Sequence, residues 1–427
     1  MINSTSEIKH KNRELPTTET EVAASEWISV WGRRYLRGRK FGFSHAIICR
    51  LIDCFVDAVC GGGTGAGNKS VPSFKRVLVT KLDHIGDLLI ATPFLAAIKD
   101  RQRKEGGRLK LVVGRWNAEC AETLRRSSLC DTIDYIDLPS LSKAGNRLSR
   151  ILSFVRDLPG LVWRLRRWHP TLAVDLRPFA PNGLPICLAS GATLCAGFGT
   201  RGFSGALDIV IPYRSAEPIG QIILDGLQLL CPPGESSSRY VGPCLPLVAG
   251  ERAHALRERF GLADRSFYVL HADSREEARM ADCSVWPDIV EQLVQHKGER
   301  VVLVVGARFS MAANSITQEL DRCGAAYVSA VGQTTFEELA LLCKEATGSI
   351  CIDSAVAHLS LSFGRPTFVL MVNNISFRGS YPTSSNAPQL MFGPVEVDKR
   401  GVLRSAIESF VSLTSVGSKS HQTSCRV

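Results

Sequence analysis

The feature that most constrains this chain is a regular alternation of short β-branched runs with stretches of helical periodicity between residues 76 and 413. A first series has its runs at Arg76–Thr80, Leu109–Val113, Thr132–Ile136 and Leu172–Leu176. A second series has its runs at Phe267–Ala272, Arg300–Gly306, Ala325–Ala330, Ser349–Ile352 and Thr367–Met371. This alternation is typical of βα units with parallel strands. The sequence therefore predicts an α/β chain with two Rossmann-like domains that face each other across a cleft.

Turn-forming residues set the predicted domain boundaries. Residues 231–250 are rich in proline and glycine and separate the two series. The glycine-rich stretch Gly61–Ser70 looks like a phosphate-binding loop, but Asn68 interrupts the motif and no strand precedes it, so a flexible linker is the better interpretation. We predict an N-terminal extension over 1–74 with a disordered start and amphipathic helices in 26–60, a first domain over 75–245, a second over 246–395, and a C-terminal helix and tail over 396–427.

The composition is that of a folded protein without a membrane span. Hydrophobic residues make up 45% of the 427 residues, which is enough for full-sized cores. The apolar stretch Ala46–Cys60 is interrupted by charges, whereas a spanning helix needs roughly 20 mostly apolar residues. The first 25 residues contain no apolar core of a secretory signal, and the 14 cysteines show no zinc-type spacing. We expect a cytoplasmic protein with buried, reduced thiols and no bound metal.

The net charge of +10 is concentrated in two segments. Residues 33–50 and 143–167 each carry a net charge of +6, and in both the arginines adjoin large apolar side chains such as Phe41 and Trp163. This combination is typical of a helix in an anionic membrane interface, although a solvated helix face is the alternative for either segment alone. Nucleic acid also attracts such charge, so a basic nucleic-acid-associated protein is an alternative of a different class, but the chain has no recognition motif for nucleic acid and we expect none to bind.

The first motif whose side chains could bind a ligand or take part in catalysis follows the first predicted strand. It runs from Lys81 to Asp87 and includes Gly86, which allows the backbone to approach a ligand closely. Asp87 falls at the start of the next predicted helix. Its carboxylate can cap that helix, or it can act as a general base if its pKa is suitable.

A second motif follows the strand predicted at Ser349–Ile352. It places the Ser354 hydroxyl, the backbone N–H of Ala355 and the His358 imidazole around a helix N-terminus, which suits a diphosphate. The alternative is that Asp353 and Ser354 simply cap the helix. A third loop, from His271 to Ser274 and on to Arg279, follows another strand and is by itself best interpreted as an ordinary polar loop.

Together, and in this order, the motifs resemble glycosyltransferase family 9, the heptosyltransferase family of lipopolysaccharide assembly. The strongest segments are Arg76–Lys81, Gly86-Asp87, Thr92-Pro93, Phe336–Ala340, Asp353-Ser354, His358-Leu359 and Gly364–Thr367. Weaker support comes from Val174–Arg177, Ser190–Ala192, Gly197-Phe198 and Trp286-Pro287. The resemblance covers most of residues 75–413. It implies a GT-B fold and inverting, metal-independent transfer of a sugar from a nucleotide-sugar, by family default ADP-heptose, to a lipid-linked saccharide.

The resemblance also implies roles for single residues. Asp87 matches the base that deprotonates the acceptor hydroxyl, and Lys81 and Gly86 lie on the acceptor side. The residues that we expect to bind the nucleotide-sugar donor and its diphosphate are Ser274, Arg279, Asp353, Ser354, Ala355 and His358. The resemblance implies no cofactor, since the nucleotide-sugar is the donor substrate. The expected localisation is peripheral, at the inner face of the cytoplasmic membrane.

Three departures from the family pattern fall on the donor side. Ser284 replaces the usual lysine, whose charge Arg279 could supply from a shifted position, and Ala355 replaces a glycine. Residues 307–318 contain no acid, where the family typically offers one to the ribose. These departures leave open a relative with an altered donor, or one that binds nucleotide or saccharide without transfer.

Overall fold

The computed structural model describes most of the chain. The described residues are 27–30, 33–36, 43–60, 73–139, 146–178, 183–200, 202–231, 239–274, 281, 285–295, 301–307, 310–322, 324, 327–370, 381–382, 389–392 and 400–416. They form one small hairpin and two six-stranded sheets with their flanking helices. The glycine-rich stretch Gly61–Ser70, interpreted above as a linker, lies outside the described residues.

A hairpin and a helix precede the first large sheet. Strands β1 (Trp27–Val30) and β2 (Arg33–Leu36) pair antiparallel, and helix α1 (Phe43–Cys60) follows. The prediction of helix over 26–60 is therefore confirmed for Phe43–Cys60 and wrong for the two strands. The reason is visible in β1, where buried Ile28 and Val30 alternate with more exposed neighbours, a period of two that β-branched residues favour.

The first large sheet is built from parallel strands. Its strands are β3 (Arg76–Lys81), β4 (Arg108–Val113), β5 (Thr132–Tyr135), β6 (Leu172–Asp175), β7 (Leu194–Phe198) and β8 (Ile209–Ile211). The helices of this part are α2 (Ile85–Ile90), α3 (Thr92–Glu105), α4 (Ala118–Arg126), α5 (Arg147–Trp168), α6 (Leu184–Ala189) and α7 (Ile219–Leu230). Short 3₁₀ helices cover Arg115–Asn117 and Ser204–Ala206. The strand order is β5-β4-β3-β6-β7-β8.

The second large sheet repeats the same plan. Its strands are β9 (Phe267–His271), β10 (Val301–Val304), β11 (Tyr327–Ser329), β12 (Gly348–Ile352), β13 (Thr367–Leu370) and β14 (Gln389–Phe392). The helices are α8 (Gly250–Arg259), α9 (Val285–Gln295), α10 (Met311–Arg322), α11 (Phe336–Glu345), α12 (Ala355–Ser362) and α13 (Arg400–Val416). The strand order is β11-β10-β9-β12-β13-β14, again with parallel neighbours throughout.

Both sheets have the strand order 3-2-1-4-5-6 of a Rossmann fold. The predicted α/β class with two Rossmann-like units is confirmed. The inner strands are buried on both faces, as parallel strands covered by helices must be, and Val77, Leu78 and Val79 of β3 have no exposed surface.

The two sheets are joined by shared packing and by hydrogen bonds. A single cluster of buried apolar side chains extends from Val79 of β3 to Val269 of β9. The Cys244 N–H, in the connection between the two sheets, donates to the Thr92 hydroxyl oxygen over 2.8 Å, and the Phe336 N–H, beside the second sheet, donates to a carboxylate oxygen of Glu119, beside the first, over 2.9 Å. The loops at the facing ends of the two sheets are therefore held at a defined separation. Of the helices in the described part of the chain, none has the length and apolar character needed to cross a membrane.

Candidate active site

The carboxyl ends of the central strands carry the candidate site. Each sheet reverses its strand order between two neighbours, β3 and β6 in the first and β9 and β12 in the second. Ligands of doubly wound sheets bind outside the carboxyl ends of the strands at such a switch point. Lys81, Gly86 and Asp87 lie at or after the end of β3, Ser274 lies after β9, and Asp353, Ser354, Ala355 and His358 lie after β12. Arg279 and Ser284 lie outside the described residues.

A buried ion cluster fixes the loop after β3. The Lys81 ammonium donates to Asp83 Oδ2 over 2.6 Å and to the Leu176 carbonyl over 2.9 Å. Arg177, which follows β6, pairs with the other carboxylate oxygen of Asp83. Burial acts to raise the pKa of Asp83, but Lys81 and Arg177 outweigh it and hold that pKa below its ordinary value. The Lys81 charge is thus directed at Asp83, and its expected contact with the acceptor stays a prediction.

The same loop is anchored from β4. The Asp83 carbonyl accepts hydrogen bonds from the Trp116 indole N–H over 2.8 Å and from the Asn117 amide over 2.9 Å. The loop after β3 is therefore tied to the ends of both neighbouring strands. Such support on rigid elements is what positions a catalytic side chain reproducibly.

Asp87 is the third residue of helix α2. Its carboxylate accepts a hydrogen bond of 3.3 Å from the His84 backbone N–H, so the capping interaction is present. Burial and the nearby negative charge of Asp83 raise the pKa of Asp87 above its ordinary value. A raised pKa moves a carboxylate towards the range in which it accepts a proton effectively. The cap and the base are therefore compatible roles for this residue.

A second carboxyl group with an altered pKa lies beneath the loop. Asp175, the last residue of β6, is almost fully buried and accepts a hydrogen bond of 2.8 Å from the Thr80 hydroxyl. Burial raises its pKa to about 7. Gly183 closes over this pair so tightly that a β-carbon there would overlap both Thr80 Oγ1 and Asp175 Oδ1. Asp175 supports the end of β3 from within the sheet.

The turn after β12 forms the other half of the site. Ser354 is the N-cap residue of helix α12, but its hydroxyl makes no capping bond and instead lies 3.1 Å from His271 Nδ1. Burial lowers the pKa of His271 to about 4, so this imidazole is neutral at pH 7. The alternative that Ser354 merely caps the helix is therefore not supported. Ala355 begins the helix beside it.

Tyr381 completes this turn. Its hydroxyl donates to Asp353 Oδ1 over 2.8 Å, and its ring stacks on the His358 imidazole with 5.0 Å between ring centroids. All three side chains are buried. Tyr381 therefore connects the two predicted donor-side residues, and sequence reasoning had missed it because no motif or periodic pattern marks the chain around it.

The two halves of the site meet at a glycine. A β-carbon on Gly86 would lie 3.0 Å from Cδ2 and 3.4 Å from Nε2 of His358. The residue before Asp87 is thus in van der Waals contact with the turn after β12. The structure brings together the predicted base and the predicted diphosphate turn, which lie on separate sheets.

The third loop places an acid near the end of β10. Asp273 Oδ2 accepts a hydrogen bond of 3.4 Å from the Ala307 backbone N–H. This is the strand end at which the sequence lacks the acid typical of the family. Ser274 follows directly on Asp273, and its donor-side role stays a prediction.

Known proteins of one family share this fold. Residues 188–374 match the sequence profile of glycosyltransferase family 9 (heptosyltransferase), a range that contains the Asp353–His358 turn. A glycosyltransferase family 9 protein from Veillonella parvula superposes with a TM-score of 0.65 at 15% identity over 81% of this chain and 99% of that protein. The E. coli ADP-heptose lipopolysaccharide heptosyltransferase II does so with a TM-score of 0.62 at 13% identity, over 80% of this chain and 99% of that enzyme.

A third similar structure is E. coli heptosyltransferase WaaC with ADP, with a TM-score of 0.59 at 12% identity over 78% of this chain and 99% of that enzyme. At such identities the superpositions show the fold alone, and no curated protein matches the sequence. The profile match over residues 188–374 confirms the resemblance to glycosyltransferase family 9 drawn from the motifs and supports the prediction of a glycosyltransferase.

Proposed function

We propose that this chain transfers a sugar, by family default heptose from ADP-heptose, to a lipid-linked saccharide of the lipopolysaccharide type, with inversion and without a metal ion. The observation that carries the proposal is the contact between the Gly86-Asp87 turn and His358, because a carboxyl of raised pKa then lies beside the first turns of helix α12, whose N-terminus favours an anion. In this reaction the Asp87 carboxylate takes the proton from the acceptor hydroxyl, and the hydroxyl oxygen forms the new bond to the anomeric carbon.

The bond that breaks joins the anomeric carbon to the diphosphate oxygen, and the electron pair leaves with the diphosphate. The N-terminus of helix α12 supports that step, since backbone N–H groups and the helix dipole favour an anion. The Ser354 hydroxyl adds a polar group at the same place, and neutral His271 orients it. Charge stabilisation of this kind does not need a metal ion, so we expect activity to persist in EDTA.

An Asp87→Asn variant tests the role of the base. The amide is isosteric with the carboxylate but cannot accept the proton, so turnover should fall by about 10²–10⁴-fold while donor binding is retained. Asp100→Asn is the matched control, because Asp100 is half-exposed and, among the residues that the structure describes, pairs with Arg103 one turn along helix α3. Near-normal turnover in Asp87→Asn would reduce Asp87 to its capping role.

A second candidate function is that of a relative with an altered donor, or one that binds nucleotide or saccharide without transfer. The absence of an acid from residues 307–318 and the alanine at position 355 favour it. Asp273 favours the first candidate, since it offers a carboxylate to the same strand end from the neighbouring loop. Thermal-shift measurements with a panel of ADP- and UDP-sugars discriminate the two, because a ligand that binds the native state raises its apparent stability.

Asp273 is the residue through which the donor proposal can be probed. Asp273→Asn should weaken binding of the preferred nucleotide-sugar while leaving that of the acceptor unchanged. Loss of nucleotide-sugar binding without loss of bare diphosphate binding would place Asp273 at the ribose. Equal affinities for the variant and the parent chain would remove this residue from the donor site.

A further inference from the structure

Helix α1 presents an apolar face to solvent. Phe43, Ile48, Leu51 and Phe55 are between 54% and 70% exposed, while Ala46, Cys49 and Asp53 on the opposite side are buried. An amphipathic helix normally turns its apolar face towards the protein. Here the narrow buried side holds the helix in place, and the broad apolar side faces outwards.

This orientation of α1 is fixed by specific contacts. The Tyr35 hydroxyl donates to Asp53 Oδ2 over 2.8 Å, and the Arg33 guanidinium lies 3.2 Å from the same oxygen. The Leu36 N–H donates to the Thr200 carbonyl over 3.0 Å, which ties the preceding hairpin to the first large domain. The outward face of α1 is therefore a property of the folded chain.

Helix α5 presents a second apolar face along its first half. Leu148, Ile151, Leu152 and Val155 follow the spacing i, i+3, i+4, i+7 and are between 39% and 65% exposed. The same helix is anchored from its other side, where Phe154 and Leu158 pack against the cluster that contains Leu161 and Leu165. Because Leu161 and Leu165 are buried on the other side of the helix, the four exposed apolar side chains of its first half face outwards.

Residues 202–207 lie near both helices. Gly202 contacts Cys49 of α1, and Phe203 and Leu207 contribute to the same cluster as Leu161 of α5. Trp116 also packs against that cluster and donates its indole N–H to the Asp83 carbonyl in the acceptor-side loop. The two apolar faces therefore belong to the domain that carries Asp87.

The segments of the chain that contain these faces are rich in basic residues. Residues 33–50 and 143–167 each carry a net charge of +6. Part of it is used internally, since Arg164 pairs with Asp134 over 2.9 Å and Arg166 donates to the Ala189 carbonyl over 2.8 Å. Basic side chains beside an exposed apolar helix face are complementary to a surface that is apolar within and anionic at its rim. An anionic lipid bilayer is such a surface.

We propose that the exposed faces of α1 and α5, here called the docking faces, insert into the interface of an anionic membrane. The proposal rests on the proposed function, because a lipid-linked acceptor would be presented at the domain that carries the docking faces. Membrane binding itself does not require sugar transfer. The apolar side chains enter the acyl boundary, and the flanking arginines contact the lipid phosphates. A sugar attached to a lipid in that membrane would then approach the loop that carries Asp87.

The experiment is co-sedimentation of the full chain with vesicles. Phosphatidylglycerol-containing vesicles are compared with pure phosphatidylcholine vesicles across a salt series. The chain should bind the anionic vesicles at low salt, and binding should weaken without vanishing near 1 M salt, where the Debye length is about 3 Å and the apolar insertion persists. Failure to bind anionic vesicles at low salt, or equal binding to both lipids at every salt concentration, would overturn the proposal.

Two double variants locate the contact. Leu51→Ser with Phe55→Ser on α1, and Leu152→Ser with Val155→Ser on α5, should each lower vesicle partitioning about tenfold or more, because two apolar side chains no longer insert. The matched control is Val248→Ser with Met311→Ser, since these side chains are 89% and 82% exposed outside the docking faces. Partitioning of the docking variants equal to that of the control would overturn the assignment of these faces.

Further readouts separate this proposal from its competitors. Light scattering that shows a dimer for the parent chain and monomers for the docking variants, without vesicle binding, would favour a second copy as the partner. Salt-sensitive binding to duplex DNA without vesicle binding would favour nucleic acid. Transfer to a water-soluble acceptor analogue should be unchanged in the docking variants, and Asp87→Asn should bind vesicles normally, so failure of the catalytic proposal and failure of the docking proposal give different results.

Discussion

Gly86 and His358 are in contact although 271 residues separate them in the chain, and a β-carbon on Gly86 would lie only 3.0 Å from Cδ2 of the imidazole. Contacts this close force the neighbouring group to shift by a few tenths of an ångström. His358 has little freedom to do so, because it is buried and stacked on Tyr381. The approach of the two halves of the site therefore depends on the absence of a side chain at position 86.

Gly86→Ala should separate the base from the diphosphate turn. We expect kcat/KM for the donor to fall about tenfold or more, since small displacements of catalytic groups cost this much in rate. Gly160→Ala is the matched control, because a β-carbon there would meet only the Arg164 side chain at 3.7 Å, within helix α5. Steady-state kinetics and thermal unfolding of both variants provide the measurement. Unchanged kinetics in Gly86→Ala would show that the contact is not needed during turnover.

Asp175 predicts a specific dependence of stability on pH. Its pKa is raised from 3.8 to about 7 in the folded protein, so its contribution to stability is fully present below about pH 4 and is lost as the pH rises through about 7. Asp175→Asn cannot ionise, so its free energy of unfolding relative to that of the parent chain should increase over this interval by up to about 4 kcal/mol. Denaturant titrations at several pH values measure the difference. A constant difference across the interval would contradict the assignment.

Tyr381→Phe isolates a single hydrogen bond at the donor side. The ring keeps its stack on His358, while Asp353 loses the hydroxyl that now donates to it over 2.8 Å. Hydrogen bonds to charged groups contribute about 1.5–3 kcal/mol, so we expect KM for the donor to rise about tenfold or more if Asp353 is thereby misplaced. Tyr327→Phe is the control, because it removes the corresponding bond to exposed Asp321. An equal effect of both variants on KM would argue against a donor-side role.

Asp83 predicts the direction in which the pH–rate profile of the enzyme moves. The negative charge of Asp83 is one cause of the raised pKa of Asp87, and burial is the larger one. In folded Asp83→Asn this charge is absent, so the pKa of Asp87 should fall and the acid limb of kcat/KM should move to lower pH. In this variant the Lys81 ammonium no longer pairs with a carboxylate at position 83, and its positive charge also lowers the pKa of Asp87. An acid limb that stays in place would show that another group sets it, and circular dichroism verifies that the variant is folded.

The central strands of both sheets were predictable because their residues are buried on both faces. Runs such as Arg76–Thr80, observed as Arg76–Lys81, contain enough adjacent β-branched side chains to identify a strand without knowledge of its neighbours. Short elements carry less of this information. The hairpin of β1 and β2 has four residues in each strand and two consecutive basic residues, Arg33 and Arg34, so its composition resembled that of an amphipathic helix.

The candidate site was predictable as a set of strand-end motifs but not as a geometry. The positions of Asp87 and Ser354 after their strands followed from the βα pattern, and their roles were inferred from the family resemblance. The contacts of Tyr381 with Asp353 and His358 join residues more than 20 positions apart, and the pairing of Asp83 with Arg177 spans two strands. Such contacts depend on how the elements pack, which no local pattern encodes.

The apolar cluster that runs from Val79 to Val269 has a consequence for how the molecule comes apart. In a protein whose two lobes have separate cores, one lobe can melt while the other persists. Here the loss of either lobe would expose part of the other lobe's interior to water, which is unfavourable in proportion to the apolar area exposed. Heating should therefore produce one cooperative calorimetric transition, and a substitution that loosens the acceptor-side core should lower the melting temperature of the donor-side sheet as well.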